Sequence, residues 1–157
     1  MKLPVVGGSN LNRQKLVFPR DFSGDVNLVF IAFQQWHQDL INEWVPLAER
    51  LEKTLPGFHY YEFPVVYQMG RLGRTFLNEG MRAGIPNPAT RARTITLYLD
   101  KTPFRQALEI PDENTIWAYL FAKDGDVLWR LSGNYTEEKG AELETAVSQH
   151  LAPLHSS

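Results

Sequence analysis

Two hydrophobic periodicities meet early in the chain. Residues 28–33, LVFIAF, form an unbroken apolar run that is too short for a free-standing helix and rich in branched and aromatic side chains. That composition predicts a strand covered on both faces. From Asp39 the spacing changes: Leu40, Trp44, Leu47 and Leu51 recur every three or four residues, with Ile41, Ala48 and Leu55 beside them and Asn42, Glu43, Glu49 and Lys53 opposite. At about 100° per residue these positions make one stripe of a helix lying on a sheet. Pro46 falls inside it, where a lost hydrogen bond and a ring clash predict a kink rather than a stop.

The flanking segments supply further layers. Residues 15–18 read as a short strand stopped by Pro19, and residues 58–63 as an apolar strand closed by Pro64, which completes a right-handed βαβ unit. Residues 94–99 alternate as a strand. Thr102 and Pro103 predict a helix start, with Thr as N-cap and Pro at the first helical position. Residues 115–132 hold two β-rich runs around Asp124 and Gly125, a hairpin whose first strand is central and whose second is an edge. Thr136 caps a last helix that carries Glu137 and Glu138 in its first turn and buries Leu143, Val147 and Leu151. Residues 1–12, with Gly7, Gly8, Ser9 and Asn10, are expected to be a flexible lead-in, residues 13–151 a single domain and residues 152–157 a tail.

Residues 65–83 are the least standard stretch. Met69, Leu72 and Phe76 fall on one helical face with Gly73 and Gly80, and Arg71, Arg74 and Arg82 fall on the other. Each glycine costs roughly 1 kcal/mol relative to Ala in a helix interior, so packing must hold this helix or it breaks in two. Residues 84–88 are a loop by local rules. Together these elements predict an α/β fold, a three-layer sandwich of a central mixed sheet with helices on both faces.

Composition narrows the functional classes. With 157 residues, 43% of them apolar and 12% aromatic, the chain suits one core that buries roughly 70% of its unfolded surface. A formal charge of −2 argues against nucleic acid as a main partner, because phosphate neutralisation needs a basic surface. There is no apolar run long enough to span a membrane and no signal-peptide pattern at the start, so the expected location is cytoplasmic. The chain has no Cys, hence no disulfide and no thiolate.

Candidate chemistry concentrates in two places. Gln34, Gln35, Trp36, His37 and Asp39 stand between a central strand and a helix, the usual ligand position in open α/β sheets, where free N–H groups suit an anion or a peptide group. The simpler reading makes Asp39 the N-cap and lays Trp36 over the core. Arg71, Arg74 and Arg82, extended by Arg91 and Arg93, are either a solvated face or a surface for an acidic partner. Residues 71–93 hold five Arg against one Glu in an acidic chain, which favours binding. His37, His59, His150 and His155 lack ligand spacing, so no metal and no cofactor is expected. An enzyme site built from His37, Asp39 and Arg82 is the alternative, and it requires those three to converge.

Residues 28–40, LVFIAFQQWHQDL, resemble the active-site segment of the thioredoxin superfamily, in which a strand ends in Trp and Cys-x-x-Cys opens a helix bent by proline. Setting Trp36 on the family Trp puts His37 and Leu40 at the two cysteine positions and leaves Pro46 one residue late. The family's cis-proline, expected near Ile116, is absent as well. Residues 15–30, KLVFPRDFSGDVNLVF, are similar to the lead-in of the peroxiredoxin and periplasmic-reductase branch. Within the superfamily, FQQWHQDLINEW, residues 81–86, residues 97–133 and Tyr135-Thr136-Glu137 look most like the mitochondrial ATP-synthase assembly-factor family and its bacterial relatives, over about residues 25–147. The resemblance implies a redox-inactive, thioredoxin-like binding or assembly domain for a protein partner, with a membrane complex such as ATP synthase as client. Monomer or weak homodimer is the expected state, the hairpin edge and the exposed aromatics being the interface through which two copies would meet.

Overall fold

The computed structural model describes residues 1–66 and 88–155. In chain order its elements are β1 (Val6–Asn10), β2 (Lys15–Phe18), β3 (Val26–Ala32), α1 (His37–Thr54), β4 (Phe58–Val66), α2 (Pro88–Arg93), β5 (Ile95–Tyr98), α3 (Lys101–Ala107), β6 (Trp117–Ala122), β7 (Val127–Ser132) and α4 (Glu137–His155). The seven strands form one sheet in the order β2-β1-β5-β4-β3-β6-β7.

All seven residues of β3 are buried, as the continuous apolar run requires of a central strand. It pairs parallel with β4, Phe30 opposite Glu62, and antiparallel with β6, Phe30 opposite Ala118. Alternation divides its side chains between two cores. Leu28 and Phe30 join Trp44, Leu47 and Leu51 of α1 and Leu143 and Val147 of α4 on one face. Val29 and Ile31 join Phe18, Phe63, Leu97 and Phe104 on the other. The three-layer α/β sandwich with a mixed sheet is therefore the fold.

Several local expectations change. Residues 1–12 are not loose: β1 pairs antiparallel with β2 and β5, and Leu3 and Leu11 are buried. Of the two glycines that read as turn residues, Gly8 serves close approach, since a Cβ there would collide with the Thr96 carbonyl of β5. Pro64 does not close β4, which continues to Val66; the β3 ladder ends at the Ala32–Pro64 pair, so no further rung needs its missing N–H. Pro46, by contrast, behaves as expected in not stopping α1, which runs from His37 to Thr54. The buried stripe of α1 is rotated toward Ile41 and Ala48, leaving Leu40 half-buried. The cap of α3 is Asp100, whose carboxylate accepts from Thr102 N–H, instead of Thr102 itself. The final helix extends through His155, beyond the expected tail boundary at 152.

The hairpin holds as expected. β7 is the sheet edge, and Gly125 supplies the positive φ of +95° that its turn needs. Thr136 Oγ1 accepts from Lys139 N–H and caps α4. Residues 67–87, which contain the glycine-rich stretch and its Arg face, lie outside the described residues. Among the described residues, no helix is long and apolar enough to cross a membrane.

Candidate functional site at the start of the first long helix

At the C-terminal end of β3 the chain passes through buried Phe33 into a turn of exposed Gln34, Gln35 and Trp36, and α1 starts at His37. Asp39 is not the N-cap. Trp36 holds that position with no side-chain cap bond, while Asp39 is exposed in the first turn. The N–H groups of His37, Gln38 and Asp39 donate instead to the carbonyls of Gln34, Gln35 and Trp36 at 3.0, 3.3 and 3.1 Å. Tight three-residue turns thus satisfy donors that a cap or an anion would otherwise meet.

Trp36 does not cover the core either: it is 52% exposed. Its indole N–H donates to Gln34 Oε1 at 3.1 Å, and Gln34 Nε2 donates to the Glu113 carbonyl at 2.6 Å. The Gln34 amide therefore ties the indole to the loop before β6. The Glu113 carboxylate is held in turn by Lys101 at 2.9 Å and Arg105 at 3.3 Å.

His37 lies beneath this surface, 0% exposed, with its ring edge-on to Trp36 at 4.5 Å. Phe33 N–H donates to His37 Nδ1 at 3.0 Å, so the neutral imidazole carries its proton on Nε2. Among the described residues, no acceptor meets Nε2 in full hydrogen-bond geometry. Burial holds the imidazole below the usual histidine range, and the Asn114 backbone and Glu113 carboxylate offset it only in part. A general base needs an accessible lone pair, and that of Nδ1 is occupied.

One turn on, Gln38 Nε2 donates to Glu62 Oε1 at 2.8 Å and to Asn42 Oδ1 at 3.0 Å. Glu62, on β4, is 2% exposed, and burial raises its carboxyl above the ordinary range despite Gln38 and the field of Arg93. An acid with a raised folded pKa stabilises below its unfolded value and loses that contribution as pH rises through the folded one. Glu62→Gln is therefore expected to match the wild type in acid and to exceed it increasingly toward alkaline pH, as thermal melts across a pH series will show.

Of the sequence candidates, Gln35, Trp36, His37 and Asp39 share this turn, and Arg71, Arg74 and Arg82 lie outside the described residues. Arg93 is not a free basic group. Its guanidinium grips Glu52 through two bonds of 2.8 and 2.9 Å, donates to the Tyr60 carbonyl at 3.1 Å and stacks 3.9 Å from the Tyr60 ring centroid. It borders a cleft of about 300 Å³ with Ser23, His59 and Tyr61, at the end of the β3–β4 pair opposite Trp36. Glu62, Gln38 and Glu113 escaped the sequence reading, although Glu62 was visible as a lone acid inside an apolar strand. Among the described residues, no group of three or more His, Asp or Glu side chains could hold a metal ion.

No family model matches the chain, and no curated protein matches it. Solved structures do share the fold. The copper-bound ScoI of Arabidopsis thaliana aligns at a TM-score of 0.63 and 8% identity, over 95% of this chain and 99% of that one. BsSco, described as a member of the Sco family of cytochrome c oxidase assembly proteins, aligns at 0.59 and 11% identity over 94% of both chains. A thiol:disulfide interchange protein from Bacteroides sp. aligns at 0.59 and 16% identity, over 94% of this chain and 86% of that one. The chain thus has a thioredoxin-like fold, carried without any cysteine.

Proposed function

We propose that the protein is a redox-inactive, thioredoxin-like binding or assembly domain that acts on a protein partner through the turn carrying Gln35, Trp36, His37 and Asp39. One observation carries the reading: a tryptophan 52% exposed stands where the resemblance puts the family Trp, directly before the two cysteine positions, backed by ordered polar groups and without a nucleophile. An exposed, anchored indole supplies large contact area at low entropic cost, as at interface hot spots. The Arg71, Arg74 and Arg82 face adds donors suited to an acidic rim on the partner. The fold is shared with a Sco assembly protein, which is compatible with an assembly role, and the resemblance to the ATP-synthase assembly factors makes a membrane complex of that kind the client to test.

The test is affinity capture from the source organism, comparing wild type with an Arg71→Glu, Arg82→Glu variant and with Trp36→Ala, each of verified fold. The expected result is a protein retained by the wild type and reduced at least tenfold by Trp36→Ala, a loss of about 1.4 kcal/mol. Equal recovery in all three samples would remove this surface from the role.

A further inference from the structure

We infer that His37 is a proton-operated latch on the Trp36 surface: protonation at Nδ1 breaks the bond from Phe33 N–H and frees the turn that carries Gln34, Gln35 and Trp36. The inference concerns the surface proposed above, but its readouts are intramolecular and stand whether or not a partner binds there.

The chemistry follows from the ring's two nitrogens. Nδ1 is the acceptor for Phe33 N–H at 3.0 Å, the bond that closes the chain from strand into helix. Nε2 holds the proton of the neutral form and, among the described residues, meets no acceptor in full hydrogen-bond geometry. A proton taken from solvent has one lone pair to occupy, that of Nδ1, and once it does so two N–H groups point at each other. The bond is then lost and its repulsion must be relieved by movement of the ring or the turn. The imidazole is 0% exposed, so the cation also lacks water.

Neighbouring charges do little to rescue it. From the loop before β6 the groups acting on the ring are the Asn114 backbone and the Glu113 carboxylate, the latter already engaged by Lys101 and Arg105, and together they offset burial only in part. On α1 itself Asp39 is exposed, and from β4 Glu62 is occupied by Gln38. Relief is easiest on the turn side, because the Gln34, Gln35 and Trp36 side chains are exposed whereas α1 is packed into the core. The Trp36 ring, edge-on to the imidazole, moves with it.

Nitrogen-resolved NMR of the labelled protein tests the latch. At neutral pH His37 is expected as the Nε2–H tautomer. On titration from about pH 7.5 to about pH 5, the His37 ring, the Phe33 amide and the Trp36 indole are expected to change with one shared midpoint below the ordinary histidine value of about 6.5. Glu113→Gln is expected to lower that midpoint, and His37→Phe and His37→Gln to abolish the Trp36 transition. An Nδ1–H tautomer at neutral pH, or a Phe33 amide indifferent to His37 titration, overturns the inference on the wild type alone. A Trp36 transition that persists in a folded His37 variant overturns it independently.

Discussion

Trp44→Ala is expected to cost about 3–5 kcal/mol of folding stability, the range for truncating a large buried aromatic. Trp44 is 0% exposed on the central face of α1. Its ring lies 6.1 Å from Phe30 of β3 and 5.3 Å, edge-on, from Tyr135 at the entrance to α4. Its indole N–H donates to the Gly133 carbonyl at 3.2 Å. One side chain thus joins the central strand, the first long helix and the link from β7 to α4, so its removal leaves both a cavity and an unpaired carbonyl. Trp44→Phe keeps most of the volume and loses the hydrogen bond, and it should cost clearly less. Urea unfolding of the two variants separates the contributions; equal losses would place the stabilisation in the hydrogen bond instead of the packing.

Arg93→Met comes second, with an expected loss of about 2–3 kcal/mol near neutral pH. That is below the range for breaking a fully buried pair, because the side chains of Arg93 and Glu52 remain 19% and 22% exposed. Burial pushes the Glu52 carboxyl up, but Arg93 and the Tyr60 N–H outweigh it and hold the group below the ordinary carboxylate range. A carboxylate depressed in this way stabilises above its unfolded pKa and loses that contribution as pH falls through the folded one. The cost of Arg93→Met should therefore shrink in acid. Combining it with Glu52→Gln should recover part of the loss at neutral pH, since the unpaired charge is then gone; strict additivity would mean that the pair is not coupled.

Those two residues mark what a one-dimensional pattern can and cannot carry. Trp44 was legible because an α1 stripe and a fully apolar β3 leave one packing solution, and the hairpin around Gly125 and the Thr136 cap were legible because local turn chemistry specifies them. β1 was not, because its Gly8 serves a contact with β5 more than 80 residues away in sequence, and such a contact has no local signature. At the site, the passage from strand to helix after residue 33 is legible in the change from an unbroken apolar run to a helical stripe, although the N-cap is Trp36 and not Asp39. The inner partners were hidden. Burial of His37, the Gln38–Glu62 contact and the Glu113 loop depend on β4 and the segment before β6 arriving beside α1. Arg93 shows the converse: counted in sequence as part of a basic stretch, it is spent inside the fold on Glu52 and Tyr60.

If the turn at Trp36 is a docking surface for a protein, a partner must lie within bonding reach of its side chain. A photo-reactive benzoylphenylalanine placed at position 36, with a second preparation carrying it at position 5, tests this directly in cells of the source organism. Val5 is a suitable control because it is 79% exposed and lies in the N-terminal segment. The expected result is a discrete cross-linked protein from position 36 that is missing from position 5. Identical products from the two positions, or none from position 36, would contradict it.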